Sequence, residues 1–101
     1  MTDIIRKEGN MQEATYTVND PYGLHARPAG LIVKEAQRYT AEVTLTNEKN
    51  SKSASAKGLF ALLGLEITQG DRITLATNGA DEQQALRGVG AVIEERLCGK
   101  A

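Results

Sequence analysis

The single histidine of the chain, His25, lies in the run Gly23-Leu24-His25-Ala26-Arg27-Pro28-Ala29, where a turn gives way to a helical pattern. Its surroundings suit phosphoryl chemistry. Uptake of a phosphoryl group needs a nucleophile that is substantially neutral near pH 7, and imidazole is the side chain that meets this need without special tuning. A helix start supplies unpaired N–H groups and the positive end of the macrodipole, so the backbone of Ala26 and Arg27 is the expected anion cradle. The Arg27 guanidinium adds planar donors matched to phosphate oxygens. A lone histidine beside a proline also occurs as an ordinary surface turn residue, so the elements that hold it must be weighed as well.

Ala14, Tyr16 and Val18 alternate with Thr15, Thr17 and Asn19, which predicts a strand ended by Asp20-Pro21-Tyr22-Gly23. Beyond Pro28, apolar residues recur at Ala29, Ile32, Val33 and Ala36, the spacing of a helix that buries one face. Pro28 is tolerated in a first turn because an N–H there has no intrahelical acceptor. Local rules alone would begin this helix near Pro28, since a residue before proline is biased away from helical backbone. Ala41, Val43 and Leu45 predict a second strand, Asn47-Glu48-Lys49-Asn50 a polar turn, and Ser51 to Ala54 a returning third strand. Leu59, Phe60, Leu62 and Leu63, between Gly58 and Gly64, predict a short helix. After the turn at Gln69-Gly70-Asp71, Ile73 and Leu75 mark a fourth strand that stops at Asn78-Gly79. Asp81 with Gln84 reads as a helix cap, followed by a stripe of Leu86, Val89, Ile93 and Leu97. Gly88 and Gly90 weaken that last helix by about 1 kcal/mol each relative to alanine, and they would let it sit close to the sheet. The resulting order implies an α+β fold with an antiparallel sheet and its helices on one face.

At 101 residues the chain suits one small domain with a single core. Its 12 basic and 13 acidic residues leave a net charge of -1, so no global field favours nucleic acid or a membrane surface. A single cysteine, Cys98, excludes an internal disulfide, and with one histidine there is no His/Cys-rich zinc motif. No cofactor or metal is expected. A reducing, cytoplasmic setting fits this cysteine usage, and no apolar run approaches the ~18 residues of a membrane span. Residues 1–10 carry no pattern and are expected to be a poorly ordered polar leader, with the globular domain over residues 11–101.

The string Gly-Leu-His-Ala-Arg-Pro-Ala resembles the active-site signature of HPr, the histidine-containing phosphocarrier family of the bacterial phosphoenolpyruvate:sugar phosphotransferase system. Lys52-Ser53-Ala54-Ser55-Ala56-Lys57 before Leu59-Phe60, Thr68-Gln69-Gly70, and Gly79-Ala80-Asp81-Glu82-Gln83 are similar to further blocks of that family. The resemblance spans about residues 11 to 97, and Met11 falls where family members begin. It implies an open-faced β-sandwich, a four-stranded antiparallel sheet with three helices on one face in the order βαββαβα, with the first helix starting near Ala26 and His25 at its cap. By the same resemblance, His25 takes phosphate on Nδ1 from enzyme I and passes it to enzyme IIA domains, while Arg27 orients the phosphoryl group. Ala29, Lys34, Lys57, Leu59 and Phe60 would form the partner surface of a monomer. No nucleic acid and no membrane insertion are implied.

Several positions depart from the family pattern. Gly58 stands where many HPr proteins carry a serine that a dedicated kinase phosphorylates, so no serine switch is expected at that position. The hairpin at Asn47–Ser51 is two residues longer, Tyr22 and Ala26 replace residues that are often polar, and Glu66 replaces one that is usually small. Cys98 reads as an inert or exposed tail thiol. An HPr-like paralogue serving a fructose, dihydroxyacetone or nitrogen-related branch shares the histidine motif. A regulatory HPr-like binding protein is a further alternative, but such paralogues can lose the histidine and keep the serine, the reverse of this chain. An RNA-binding α+β domain would need exposed aromatics and a basic balance, against four aromatics and a charge of -1 here. A hydrolase would need a nucleophile and an orienting acid beside His25, which the motif lacks.

Overall fold

The computed structural model describes residues 5–6 and 11–98. Its elements are β1 (Ile5–Arg6), β2 (Gln12–Thr17), α1 (Ala26–Ala36), β3 (Glu42–Asn47), β4 (Lys52–Ser55), α2 (Leu59–Leu63), β5 (Arg72–Asn78) and α3 (Glu82–Arg96). From β2 onward this is the expected βαββαβα order. Every neighbouring pair in the sheet, ordered β1-β2-β5-β3-β4, is antiparallel. The four long strands form the sheet foreseen from the alternation, and β1 adds a two-residue strand on the β2 edge. Ile5 and Arg6 fall within the leader expected over residues 1–10, and the rest of that leader lies outside the described residues.

Register places like with like across the sheet. Ala14, Leu75, Leu45 and Ala54 form one transverse row on the core face, and Thr15, Thr74, Thr46 and Ser53 form the adjacent row on the opposite face. This is the period of two in the side-chain alternation made spatial. On the core side, Ala29, Ile32 and Ala36 of α1 and Ala85, Val89 and Ile93 of α3 are completely buried with Leu45, Ile73 and Leu75. Burial of each large aliphatic side chain contributes about 1.5–3 kcal/mol, enough to outweigh the helix-propensity cost of Gly88 and Gly90. Those two glycines have distinct uses. A Cβ at Gly90 would collide with the Tyr16 hydroxyl of β2, so this glycine brings α3 close to the sheet. A Cβ at Gly88 would collide with the Tyr39 hydroxyl, so this one accommodates the end of α1.

Two local readings are corrected. Asn47 is the last residue of β3 and is fully buried, and the turn begins after it. Its Nδ2 donates to the Leu65 carbonyl at 3.0 Å, a contact 18 residues away that no local rule announces. Asp81 does occupy the N-cap position of α3, but its side chain makes no cap hydrogen bond and Gln84 takes no part. Its carboxylate instead accepts from the Ala41 N–H at 2.8 Å, the Thr40 N–H at 3.0 Å and the Thr40 hydroxyl at 3.2 Å. The helix start is secured by Glu82, whose Oε1 accepts from the Gly79 N–H at 2.9 Å.

The Thr40 N–H, more than any other group, holds the Asp81 carboxyl below the usual carboxylate range; partial desolvation opposes it, and the Ala41 N–H and Thr40 hydroxyl add to it. A lowered folded-state value stabilises the fold once the acid is ionised. That contribution is complete above about pH 4 and is lost as pH falls through the lowered value. Thermal melts of Asp81→Asn are expected to show a lower Tm at pH 7 and a shallower decline of Tm below about pH 4 than the parent chain. An unchanged acid limb would remove Asp81 from that role.

Candidate functional site

The turn that delivers His25 is held from three directions. The Asn19 and Asp20 N–H groups donate to the Leu97 carbonyl at the end of α3, at 2.6 and 3.0 Å. Within the turn, the Asp20 carboxylate accepts from the Tyr22 N–H at 2.7 Å, and its carbonyl accepts from the Gly23 N–H at 2.9 Å. The Leu24 N–H then donates to the Ile67 carbonyl at 3.1 Å, and its side chain enters the core. Gly23 has a φ of +66°, and a Cβ on it would strike the Ile67 carbonyl. Glycine is required here both for the backbone angle and for the space.

His25 is the N-cap of α1, with extended backbone, so the helix begins at Ala26. This settles the conflict between the proline rule and the family resemblance in favour of the earlier start: Arg27 is helical although it precedes Pro28. The imidazole is half-exposed and makes no cap hydrogen bond. Ala26 and Arg27 occupy the first two helical positions and Pro28, which has no N–H, the third, while the Ala29 N–H is paired with the His25 carbonyl at 3.0 Å. Two backbone donors therefore remain at the helix start, those of Ala26 and Arg27. Arg27 is exposed and, among the described residues, joins no ion pair. A nucleophile, two oriented amides and an uncommitted guanidinium thus share one exposed end of a helix, which is an arrangement for holding a tetrahedral dianion.

Residues 12–95 match the family model described as "PTS HPr component phosphorylation site". The chain belongs to the HPr family. The HPr phosphocarrier of Haemophilus influenzae is 49% identical over 71 residues, covering 70% of this chain and 81% of its own. The HPr-like protein Crh of Bacillus subtilis is 43% identical over 75 residues, covering 74% of this chain and 86% of its own. The multiphosphoryl transfer protein of H. influenzae is 39% identical over 89 residues, or 87% of this chain, and the match spans 18% of that longer protein. Among solved structures, the HPr of Bacillus anthracis superposes with a TM-score of 0.73 at 34% identity, over 81% of this chain and 95% of that one. HPr proteins are phosphocarriers of a sugar-transport system and not conventional enzymes, and the chain shares that class. Among the described residues no helix is long and apolar enough to cross a membrane.

The expected docking residues fare unequally. Phe60, on the outer side of α2, is 85% exposed, while its neighbour Leu59 is half-buried against the core. Lys34 is exposed in the last turn of α1 and, among the described residues, forms no ion pair. Ala29 is corrected: it is completely buried, so no partner can reach it. Lys57 is half-buried, and its ammonium donates one bond to the Tyr39 carbonyl at 2.7 Å, just beyond the end of α1. That carbonyl lies at the negative end of the helix dipole, which is where a lysine gains most from burial of its stem. Cys98 is not an exposed tail thiol. It is half-buried against the core, and burial, with Glu94 adding to it, pushes its thiol pKa up, away from the thiolate that would be reactive.

Residues that sequence reasoning missed lie mostly beneath the site. Asn47 and Asn50 both donate to the Leu65 carbonyl, at 3.0 and 3.2 Å. Asp71 accepts from the Thr68 N–H at 2.9 Å, the Thr68 hydroxyl at 3.1 Å and the Lys49 ammonium at 3.1 Å. Together they fix the segment that carries Ile67, on which the turn at Gly23 rests. Substitution Gly23→Ala is expected to destabilise the fold by upwards of about 2 kcal/mol, as strain at positive φ adds to the clash with Ile67. Denaturant unfolding measures the loss, and backbone amide shifts from Tyr22 to Arg27 should move with it.

Proposed function

We propose that this chain accepts a phosphoryl group on His25 from phospho-enzyme I and delivers it to sugar-specific enzyme IIA domains. The observation that carries the reading is the half-exposed imidazole at the N-cap of α1, without a hydrogen-bond partner among the described residues, beside the two remaining amides of Ala26 and Arg27. The free ring nitrogen attacks phosphorus, and a new N–P bond forms as the donor's bond breaks and its electron pair returns to the donor. When the donor is itself a phosphohistidine, each ring keeps the proton on its other nitrogen, so no water and no net proton is consumed. The bond made resembles the bond broken, which keeps transfer near balance in either direction.

A loose phosphoryl-transfer transition state leaves positioning and charge stabilisation as the protein's main contributions. Here the Ala26 and Arg27 amides would hold two oxygens and the Arg27 guanidinium a third. Exposed Phe60 gives an apolar anchor and Lys34 a steering charge, which suits a partner that must be released quickly. Retention of His25 together with glycine at position 58 favours a carrier over a purely regulatory relative. We further propose that it acts as a monomer in the cytoplasm.

Incubation with enzyme I, Mg²⁺ and phosphoenolpyruvate should add one phosphoryl group, a gain of roughly 80 Da by intact mass that is acid-labile and absent in His25→Ala. No gain in the parent chain would end the carrier reading. Arg27→Ala should fold normally and lose about 10- to 100-fold in the rate of transfer to enzyme IIA, the scale of one charge-assisted hydrogen bond. Rapid-quench transfer assays measure it, and parent-like rates would relieve Arg27 of its role.

A further inference from the structure

We propose that Tyr22 is the positioning residue for His25, holding the imidazole plane by an edge-to-face ring contact where, among the described residues, no hydrogen bond does so. The inference rests on the carrier reading of His25. The two ring centroids are 5.9 Å apart and the planes meet at 79°. Tyr22 is 81% exposed, so no demand of the core puts its ring there. Its backbone is nonetheless held, because its N–H is bonded to the Asp20 carboxylate at 2.7 Å and the next residue, Gly23, is wedged against Ile67. A large aromatic ring, solvent-exposed on a fixed turn, leans on the nucleophile.

The need for such a contact follows from the rest of the site. A half-exposed imidazole without a hydrogen-bond partner among the described residues has more than one staggered rotamer open to it. Only some of them bring a ring nitrogen in front of the Ala26 and Arg27 amides. Restricting the ring before the donor arrives removes that search from the barrier to transfer. The contact is between ring edge and ring face, so it needs the aromatic ring of Tyr22 and not its hydroxyl.

The test compares two donors on the intact chain. Phosphoramidate, a small molecule, makes no docking contact, whereas phospho-enzyme I does. Tyr22→Ala is expected to slow phosphoryl uptake by about 2- to 12-fold with both donors, the scale of one aromatic pair, with KM for phospho-enzyme I unchanged. Tyr22→Phe should match the parent chain with both. NMR couplings and ring-proton shifts of His25 should report one dominant rotamer in the parent and in Tyr22→Phe, and averaged rotamers in Tyr22→Ala. Parent-like uptake from phosphoramidate by Tyr22→Ala would overturn the proposal. So would a loss confined to phospho-enzyme I and expressed in KM, which would assign the ring to partner docking. Should the parent chain take no phosphate from phospho-enzyme I, the carrier reading fails, while the phosphoramidate and rotamer measurements still decide the role of Tyr22.

Discussion

At Gly23 the chain passes so close to the Ile67 carbonyl that no Cβ fits between them, and everything at the amino end of α1 takes its position from that contact. The Leu24 N–H is bonded to the same carbonyl, and the next residue is His25. The support extends downward. Ile67 follows Leu65, whose carbonyl is gripped by both Asn47 and Asn50, and it precedes Thr68, whose N–H and hydroxyl are held by Asp71. The end of β3 is thereby connected to His25 through a short series of side-chain and backbone hydrogen bonds. Asn47 is completely buried and its Nδ2 also reaches the Asp71 carboxylate at 3.4 Å, so moving the Leu65 carbonyl away would leave the buried amide with only that longer bond, at a penalty. That penalty helps to keep the series in one arrangement.

The two ends of α1 are treated in opposite ways. At its carboxyl end the Tyr39 carbonyl receives the Lys57 ammonium, the Tyr39 hydroxyl donates to Glu35 at 2.7 Å, and Asp81 holds Thr40 and Ala41. At its amino end the cap residue offers no side-chain bond and Arg27 has no ion pair among the described residues. A good N-cap side chain is worth about 1 kcal/mol, so leaving this end open has a definite cost. The buried stripe of Ala29, Ile32 and Ala36 and the well-tied carboxyl end offset it. The side-chain hydrogen bonds are concentrated at the carboxyl end, and the donors at the amino end are left open.

The difference in range between contacts explains what could be read from the chain. His25, Ala26, Arg27 and Pro28 are adjacent, so the candidate site is legible as a string, whereas local rules begin the helix near Pro28 and only the family resemblance places its start at Ala26. The strands were visible because Ala14, Val43, Leu45 and Leu75 alternate with polar neighbours. Asn47 was misread as a turn residue because its reason for being polar, the Leu65 carbonyl, lies in another loop. Asp81 is the cap residue of α3 as its position suggests, but the use of its side chain is not legible locally because its partners, Thr40 and Ala41, are about forty positions away. Ala29 and Lys57 were placed on the partner surface by resemblance alone. An i, i+3, i+4 count from Ile32 already puts Ala29 on the buried stripe, whereas nothing local reveals the bond from Lys57 to the Tyr39 carbonyl.

Gly58 shows how a surface can lose a chemical option without any demand from the fold. It is the N-cap of α2, with φ of -118° and ψ of 122°, backbone angles open to any residue. A Cβ there would meet the Ala61 Cβ at 3.6 Å, an ordinary contact, so a serine would fit without displacing its neighbours. Packing therefore does not select glycine. A phosphoserine would add a charge of about −1.5 to −2 two residues before exposed Phe60, and it would desolvate poorly against an apolar partner face. Without the hydroxyl, the charge of this part of the surface cannot be changed in that way. In the proposed carrier cycle, the charge that a partner meets would then vary at His25, with the occupancy of its imidazole.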